Sequence, residues 1–356
     1  MASEPCIPLA GLPLKFRGYP DDNDATLPVS YFLHTSGADH RRRLRSYRLG
    51  WGLPPQIALF TGVIDSPHSP AILRRRGLGG DLTTVGGVLT GDDLSSTTNE
   101  FEGLESLDGR AIVGRRIVWH ETTGSTNDDA RHAADAGEPE GLVVVADLQT
   151  KGRGRMSRTW TSPVGRDILF SVLLKPNPAD LPKMPLVAGL AVARTLDAFT
   201  DVPITLKWPN DVRAADRKIS GSLVESGSSD TGYYAIIGTG VNVNLDATLH
   251  PEITDIATSL RTLNGQRVSR REVMRKLLLE MDNIYTSPEQ MGALVADWSA
   301  RLETLGREID VRWGHELLHG VAEGVDDTGR LLLRDRAGDV HRLEAGEVTT
   351  VLRDSR

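Results

Sequence analysis

The chain has 356 residues, 39% of them hydrophobic and 25% charged, the balance of a soluble globular protein with room for two or three domains. Its net charge of -7 argues against a protein whose main role is coating nucleic acid. The single cysteine, Cys6, excludes an intrachain disulfide and a cysteine-based zinc cage and fits a reducing cytoplasm, and no apolar run approaches the roughly 18–20 residues that span a bilayer.

Residues 1–110 read as an atypical, poorly ordered extension, because prolines from Pro5 to Pro70 interrupt every periodicity. Translation upstream of the functional start would account for it. "QIALFTGVI" has the composition of a strand, and "LTGDDLSSTTNEFEGLESLDG", Leu89 to Gly109, reads as a polar linker. From Arg115 the pattern sharpens. "RIVWHET" predicts a strand, "STNDDARHAADAG" a helix ending at Gly137, and "GLVVVADLQ" an apolar strand. After a loop come the strand "DILFSVLLK", a long helix from Lys183 to Thr200, and the strands "ITLKW", "KISGSLVE" and "YYAIIGTGVNV". "SRREVMRKLLLEMDNIY" places Ser269 and Glu272 at capping-box spacing and Val273, Leu277, Met281 and Ile284 on one helical face. A further helix is expected around Met291 to Leu305. From Gly306 onward short strands and turns at Asp327-Thr328-Gly329 and Ala337-Gly338-Asp339 predict a small β-barrel. The class is α+β, with domains expected at 111–305 and 306–356.

Chemistry is concentrated in the loop "TKGRGRMSRTW", Thr150 to Trp160. Gly152 and Gly154 let backbone N–H groups approach an anion, Arg153, Arg155 and Arg158 supply rigid forks for carboxylate or phosphate, and Trp160 offers a flat face to a ring. Taken alone, such a run is most often a solvated basic loop. "KWPND", Lys207 to Asp211, is by itself a good turn, and "STN", Ser125 to Asn127, a good helix N-cap. Gly221, Gly238 and Gly240 fall within strands, where a lone glycine usually marks a bulge; three of them, with Lys218 beside them, favour a ligand site. The sequence has no Walker A motif, and His120 and His250 lack metal-ligand spacing and read as structural or surface residues.

In this order and at these spacings, "GRGRMSRTW", "KWPND", "KISGSLVE", "GTGVN" and the tail "GVAEGVDDTGRLLL" resemble the biotin-protein ligases, over roughly Ile117 to Leu352. The resemblance implies a class II synthetase-like biotin/lipoate ligase catalytic domain, a mixed sheet with helices, followed by an SH3-like domain. It implies activation of biotin by ATP with Mg2+ to biotinoyl-5′-adenylate, and transfer to a lysine of a biotin carboxyl carrier protein or domain of a biotin-dependent carboxylase. It places Ser125, Thr126, Asn127 and Gln149 around the ureido ring, and Gly152, Arg153 and Arg155 around the biotin tail and phosphate. Lys218 becomes the main catalytic cation, assisted by Arg155, while Arg158, Trp160, Asn210 and Asn242 line the adenylate end. Asp211 orients and deprotonates the incoming lysine, and Gly221, Leu223, Gly238 and Gly240 let the strands approach the ligand or floor the apolar channel for its valeryl chain.

Many members of that family carry Arg-Gly where this loop has Met156 and Ser157, so loop closure or adenylate retention is expected to differ slightly. The proline-studded start offers no three-helix DNA-binding unit, which implies the monofunctional type rather than a ligase that is also a repressor. A lipoate or octanoate ligase or transferase is the alternative activity, and a binding pseudoenzyme is disfavoured by the presence of Lys218, Arg155 and Asp211. Homodimerisation is left open by the sequence.

Overall fold

The computed structural model describes residues 99–104, 109–251 and 253–350, and upstream only short antiparallel strands between Ile7 and Leu89, in a unit of their own, Met1–Thr98. The expectations of a poorly ordered extension and of no DNA-binding helices there lie mostly outside the described residues.

Counting from residue 99, the larger region is built on seven strands: β1 Arg116–Thr123, β2 Leu142–Gln149, β3 Ile168–Leu174, β4 Ile204–Lys207, β5 Asp211–Ala214, β6 Arg217–Ser229 and β7 Gly232–Val241. They pair in the order β4-β5-β6-β7-β3-β2-β1, antiparallel except for β1 beside β2. β2 and β3 are largely apolar because both faces are covered, with Asp147 and Gln149 on β2 and Ser171 on β3 as the polar exceptions. Helix α1, Thr126–Asp135, packs on β2, β3 and β7. Helix α2, Met184–Leu196, is buried nearly all round, as its sequence "MPLVAGLAVARTL" requires, between the sheet and helices α4, Arg270–Thr286, and α5, Pro288–Ser299. A short helix α3, Leu260–Asn264, precedes them. The α4 face read from the sequence is fully buried, and the Ser269 hydroxyl accepts from the Glu272 N–H at 3.3 Å. Helix α5 starts three residues before the expected Met291 and stops six before Leu305. Ser287 caps it, accepting from the Gln290 N–H at 3.3 Å, with Pro288 in the first turn, a start signal that the apolar periodicity hid.

The linker expected at 89–109 is not polar throughout. Phe101 and Leu104 are each 1% exposed and join the core, Arg271 donates to the carbonyls of Glu100 and Glu102 at 2.7 Å each, and Arg270 lies over the Phe101 ring. Two apolar residues three apart are too few to register as a pattern, yet burying each is worth about 1.5–3 kcal/mol.

The C-terminal region is a five-stranded antiparallel sheet, SH3-like in its strand set: β8 Glu308–Trp313, β9 Glu316–Val325, β10 Leu331–Arg334, β11 Val340–Leu343 and β12 Glu347–Thr350, in the order β11-β10-β9-β8-β12. Both expected turns are present, with Gly329 at φ 85° and Gly338 at φ 94°, angles that suit glycine. The indole of Trp208 is 2% exposed and donates to the Gly329 carbonyl at 3.1 Å, which holds this sheet against the seven-stranded one. Among the described residues no helix is long and apolar enough to cross a membrane.

Candidate active site

The central strands β3, β6 and β7 floor a cavity of about 750 Å3, bounded by the start of α1, the loop 150–160, the turn after β4, the segment 250–257 and residues 346–348 of the C-terminal sheet. All the site residues inferred from the resemblance line it except Gly152, which sits at its edge, packed on Trp160 and Gln149.

One end is neutral and polar. Ser125 occupies the N-cap position of α1 in extended conformation but its side chain makes no capping bond, so its hydroxyl is not consumed by the helix. Thr126 donates to Gln149 Oε1 through its backbone N–H at 2.8 Å and its hydroxyl at 3.0 Å. Ser171 on β3, a residue that the motifs did not single out, donates to Asn127 Oδ1 at 2.6 Å and lies 2.8 Å from the Thr126 hydroxyl. Asn127 Nδ2 in turn donates to Glu225 at 2.7 Å. Such a fixed set of buried donors and acceptors suits an uncharged ligand group with its own N–H and C=O.

The strand glycines make room for side chains of the site. At Gly238 an added Cβ would collide with Asn127 Oδ1, and at Gly240 with the Trp160 indole. At Gly221 it would stand 2.7 Å from Lys218 Cε and 3.2 Å from Trp160 Cζ3. Trp160 therefore lies over the strands beside Lys218, whose Nζ is 5.4 Å from the ring centroid. Its buried Nε1–H has no hydrogen-bond partner among the described residues.

The other end is charged. Lys218 Nζ lies 2.6 Å from Asp211 Oδ1, and Arg155 donates to Asn210 Oδ1 at 3.1 Å. Burial pulls the Arg155 guanidinium below its ordinary pKa, with Asp211 acting the other way. Burial also lowers Lys207, with Arg213 adding to it. Arg158 pairs with Glu347 of the C-terminal sheet, whereas Arg153 pairs with Asp128 of α1. Asn242 donates to the Thr258 carbonyl at 3.0 Å, and the backbone of Lys218 is bonded on both sides to the segment at Ile256 and Thr258. That segment lacks any motif, and it brings His250, expected to be structural or on the surface, to the cavity wall. The turn after Asn242 is held by Asp167, whose Oδ1 accepts from the N–H groups of Val243, Asn244 and Leu245 at 2.8, 3.2 and 3.1 Å.

The loop itself is closed by Gly154 N–H to the Arg158 carbonyl at 2.7 Å and Trp160 N–H to the Gly152 carbonyl at 3.0 Å. Met156 sits at its tip, 55% exposed, with φ 54°, a left-handed conformation that costs a non-glycine residue about 1–2 kcal/mol. Replacing Met156 by Arg and Ser157 by Gly is expected to slow the escape of the adenylate that the resemblance implies by a few-fold, about 1 kcal/mol, through the added cation, which outweighs the extra freedom the glycine gives the open loop. Identical release rates, measured by chase with unlabelled ligand, would show that these two positions do not govern retention.

Comparison with known proteins gives a consistent answer. Residues 114–242 match the Biotin/lipoate A/B protein ligase family, and residues 304–349 match the Biotin protein ligase C terminal domain. The chain is 35% identical over 269 residues to a biotin--[acetyl-CoA-carboxylase] ligase of Mycobacterium tuberculosis, covering 72% of this chain and 97% of that protein. It is 34% identical over 233 residues to the bifunctional ligase/repressor BirA of Bacillus spizizenii, covering 64% of this chain and 72% of the relative. Among solved structures, the biotin protein ligase of Aquifex aeolicus in complex with biotin and ATP superposes with a TM-score of 0.56 at 31% identity, over 67% of this chain and 99% of that one.

Proposed function

Since the chain belongs to the biotin protein ligase family, we propose that its cavity joins biotin to ATP as biotinoyl-5′-adenylate and then transfers the biotinoyl group to a lysine of a carboxylase's biotin carboxyl carrier domain. The observation that carries this reading is the polarity of the cavity, neutral and hydrogen-bonding at the Thr126–Gln149–Asn127 end and cationic at the Lys218–Arg155 end. Biotin has the same polarity, a ureido ring at one end and a carboxylate at the other. In the first step a biotin carboxylate oxygen bonds to the α-phosphorus of ATP and the bond to pyrophosphate breaks. Lys218 and Arg155 sit where negative charge collects, and fixed donors need no reorganisation as it develops. In the second step the lysine amine adds to the carboxyl carbon, AMP leaves, and the amine gives up a proton.

Asp211 is the acceptor we propose for that proton. Its carboxylate is held by Lys218 at 2.6 Å, so it becomes available when the ammonium turns to the carboxylate and phosphate of the ligand. We place the catalytic domain at 111–305 and the SH3-like domain at 306–356. Among the described residues no group of three His, Cys, Asp or Glu side chains is gathered to hold a metal. Mg2+ would enter on ATP's own phosphates and neutralise part of their charge, with Asn210 and Asp211 the oxygen-bearing side chains beside the Lys218–Arg155 end.

The reading is tested by incubating the purified chain with ATP, Mg2+ and either biotin or lipoate, following pyrophosphate release and label transfer to a carrier domain. Biotin-dependent release and transfer are expected. Turnover with lipoate alone would overturn the substrate, and release with neither would overturn the activity.

A further inference from the structure

Of the loop's three arginines, Arg155 and Arg158 reach Asn210 and Glu347 at the adenylate end, and the third goes elsewhere. The guanidinium of Arg153 donates through Nη1 and Nη2 to the two carboxylate oxygens of Asp128, at 2.7 and 2.8 Å, and lies 3.5 Å from Glu225 Oε2. The hydrogen bond to Arg153 lowers the Asp128 carboxyl below its ordinary pKa and raises Arg153, mutually consistent signs of one tight pair. The same Glu225 oxygen accepts from Arg131 at 2.7 Å and from Asn127 Nδ2 at 2.7 Å. Asn127 is 5% exposed, and it presents its carbonyl oxygen to Ser171 because its amide nitrogen is committed to Glu225. Two guanidinium groups and two carboxylates thus balance in charge, and they tie the middle of a glycine-flanked loop to the residues at the neutral end of the cavity.

We propose that Asp128 and Glu225 are positioning residues, which hold Arg153 as the latch of the loop and, through the shared Glu225 carboxylate, set the amide of Asn127. Closing the loop is thereby coupled to reading the ring end of the substrate. Neither residue touches the reacting atoms. The coupling rests on the reading of that end as the ureido site, but the latch does not. A lone, half-exposed ion pair would contribute little, yet this one is bidentate and shares its partner with a buried amide. The two glycines leave the backbone between 152 and 154 free to swing when the latch is released.

The test measures hydrogen exchange of the amides in 151–158 together with the KM for biotin and the kcat for transfer. Asp128→Asn and Glu225→Gln are each expected to speed exchange and to raise the biotin KM by about three- to tenfold, with kcat changing less than twofold. In the double variant the losses are expected to be less than additive, since both act through Arg153. High salt should speed exchange in the unmodified protein and do so less in Asp128→Asn, where only Glu225 still faces Arg153. Exchange and KM that match the unmodified protein in both variants would overturn the latch. Faster exchange with an unaltered biotin KM would overturn the coupling. If the unmodified protein does not turn over biotin, the activity fails separately, and the exchange arm still decides whether the latch exists.

Discussion

Lys218→Ala is expected to cut biotin-dependent pyrophosphate release by roughly a hundred- to a thousandfold, the usual cost of removing one fixed donor from a developing anion. The structure adds a second penalty. Lys218 is the ion-pair partner of Asp211 at 2.6 Å, so its removal leaves a carboxylate facing the anionic ends of both substrates. The single variant is therefore expected to raise the KM for ATP as well as to lower kcat. Adding Asp211→Asn to Lys218→Ala should recover part of the ATP KM without recovering kcat, because it removes the repulsion but not the missing cation. Steady-state kinetics of pyrophosphate release in the two variants checks this. An ATP KM that is the same in single and double variants would mean that Asp211 does not face the phosphates. Transfer from preformed adenylate separates the roles further, since Asp211→Asn alone should slow that step by about a hundredfold if the carboxylate takes the proton from the lysine amine.

The motifs and most elements were legible because their signals are local. "KWPND" and "KISGSLVE" announce a polar turn and a glycine-bearing strand, and the α4 stripe of Val273, Leu277, Met281 and Ile284 is a matter of spacing. Partners from distant parts of the chain were not legible. The glycines at 221, 238 and 240 point to a close approach, but nothing in the strands says that Trp160 and Asn127 are what approaches. Likewise the loop arginines look equivalent in sequence. Their division into Arg155 on Asn210, Arg153 on Asp128 and Arg158 on Glu347 depends on partners in the turn after β4, in α1 and in the C-terminal sheet. Phe101 and Leu104 disappear in a polar stretch for the same reason, since their destination is a core formed largely by residues further along the chain.

Gly238→Ala tests the neutral end in the way that Lys218→Ala tests the charged one. Gly238 lies within β7, opposite Ser171 on β3 and Leu223 on β6, with a backbone that any residue can adopt, so strain does not enter. What an alanine meets is the Asn127 amide, with Cβ on top of Oδ1, 2.8 Å from Cγ and 3.0 Å from Nδ2. The asparagine must rotate, giving up its bonds to Ser171 at 2.6 Å and to Glu225 at 2.7 Å. Overpacking one buried contact costs about 1–3 kcal/mol, which a domain of this size survives folded. Losing one matched donor or acceptor for a buried polar ring costs about 1–3 kcal/mol, so the biotin KM should rise by roughly 5- to 150-fold while the ATP KM stays within about twofold. Gly240→Ala makes the contrasting case, because its Cβ meets the Trp160 indole beside Lys218 and should disturb both substrates together. A Gly238→Ala variant with an unaltered biotin KM would mean that Asn127 does not read the ring, and Thr126 with Gln149 would then have to orient it without help from α1's second residue.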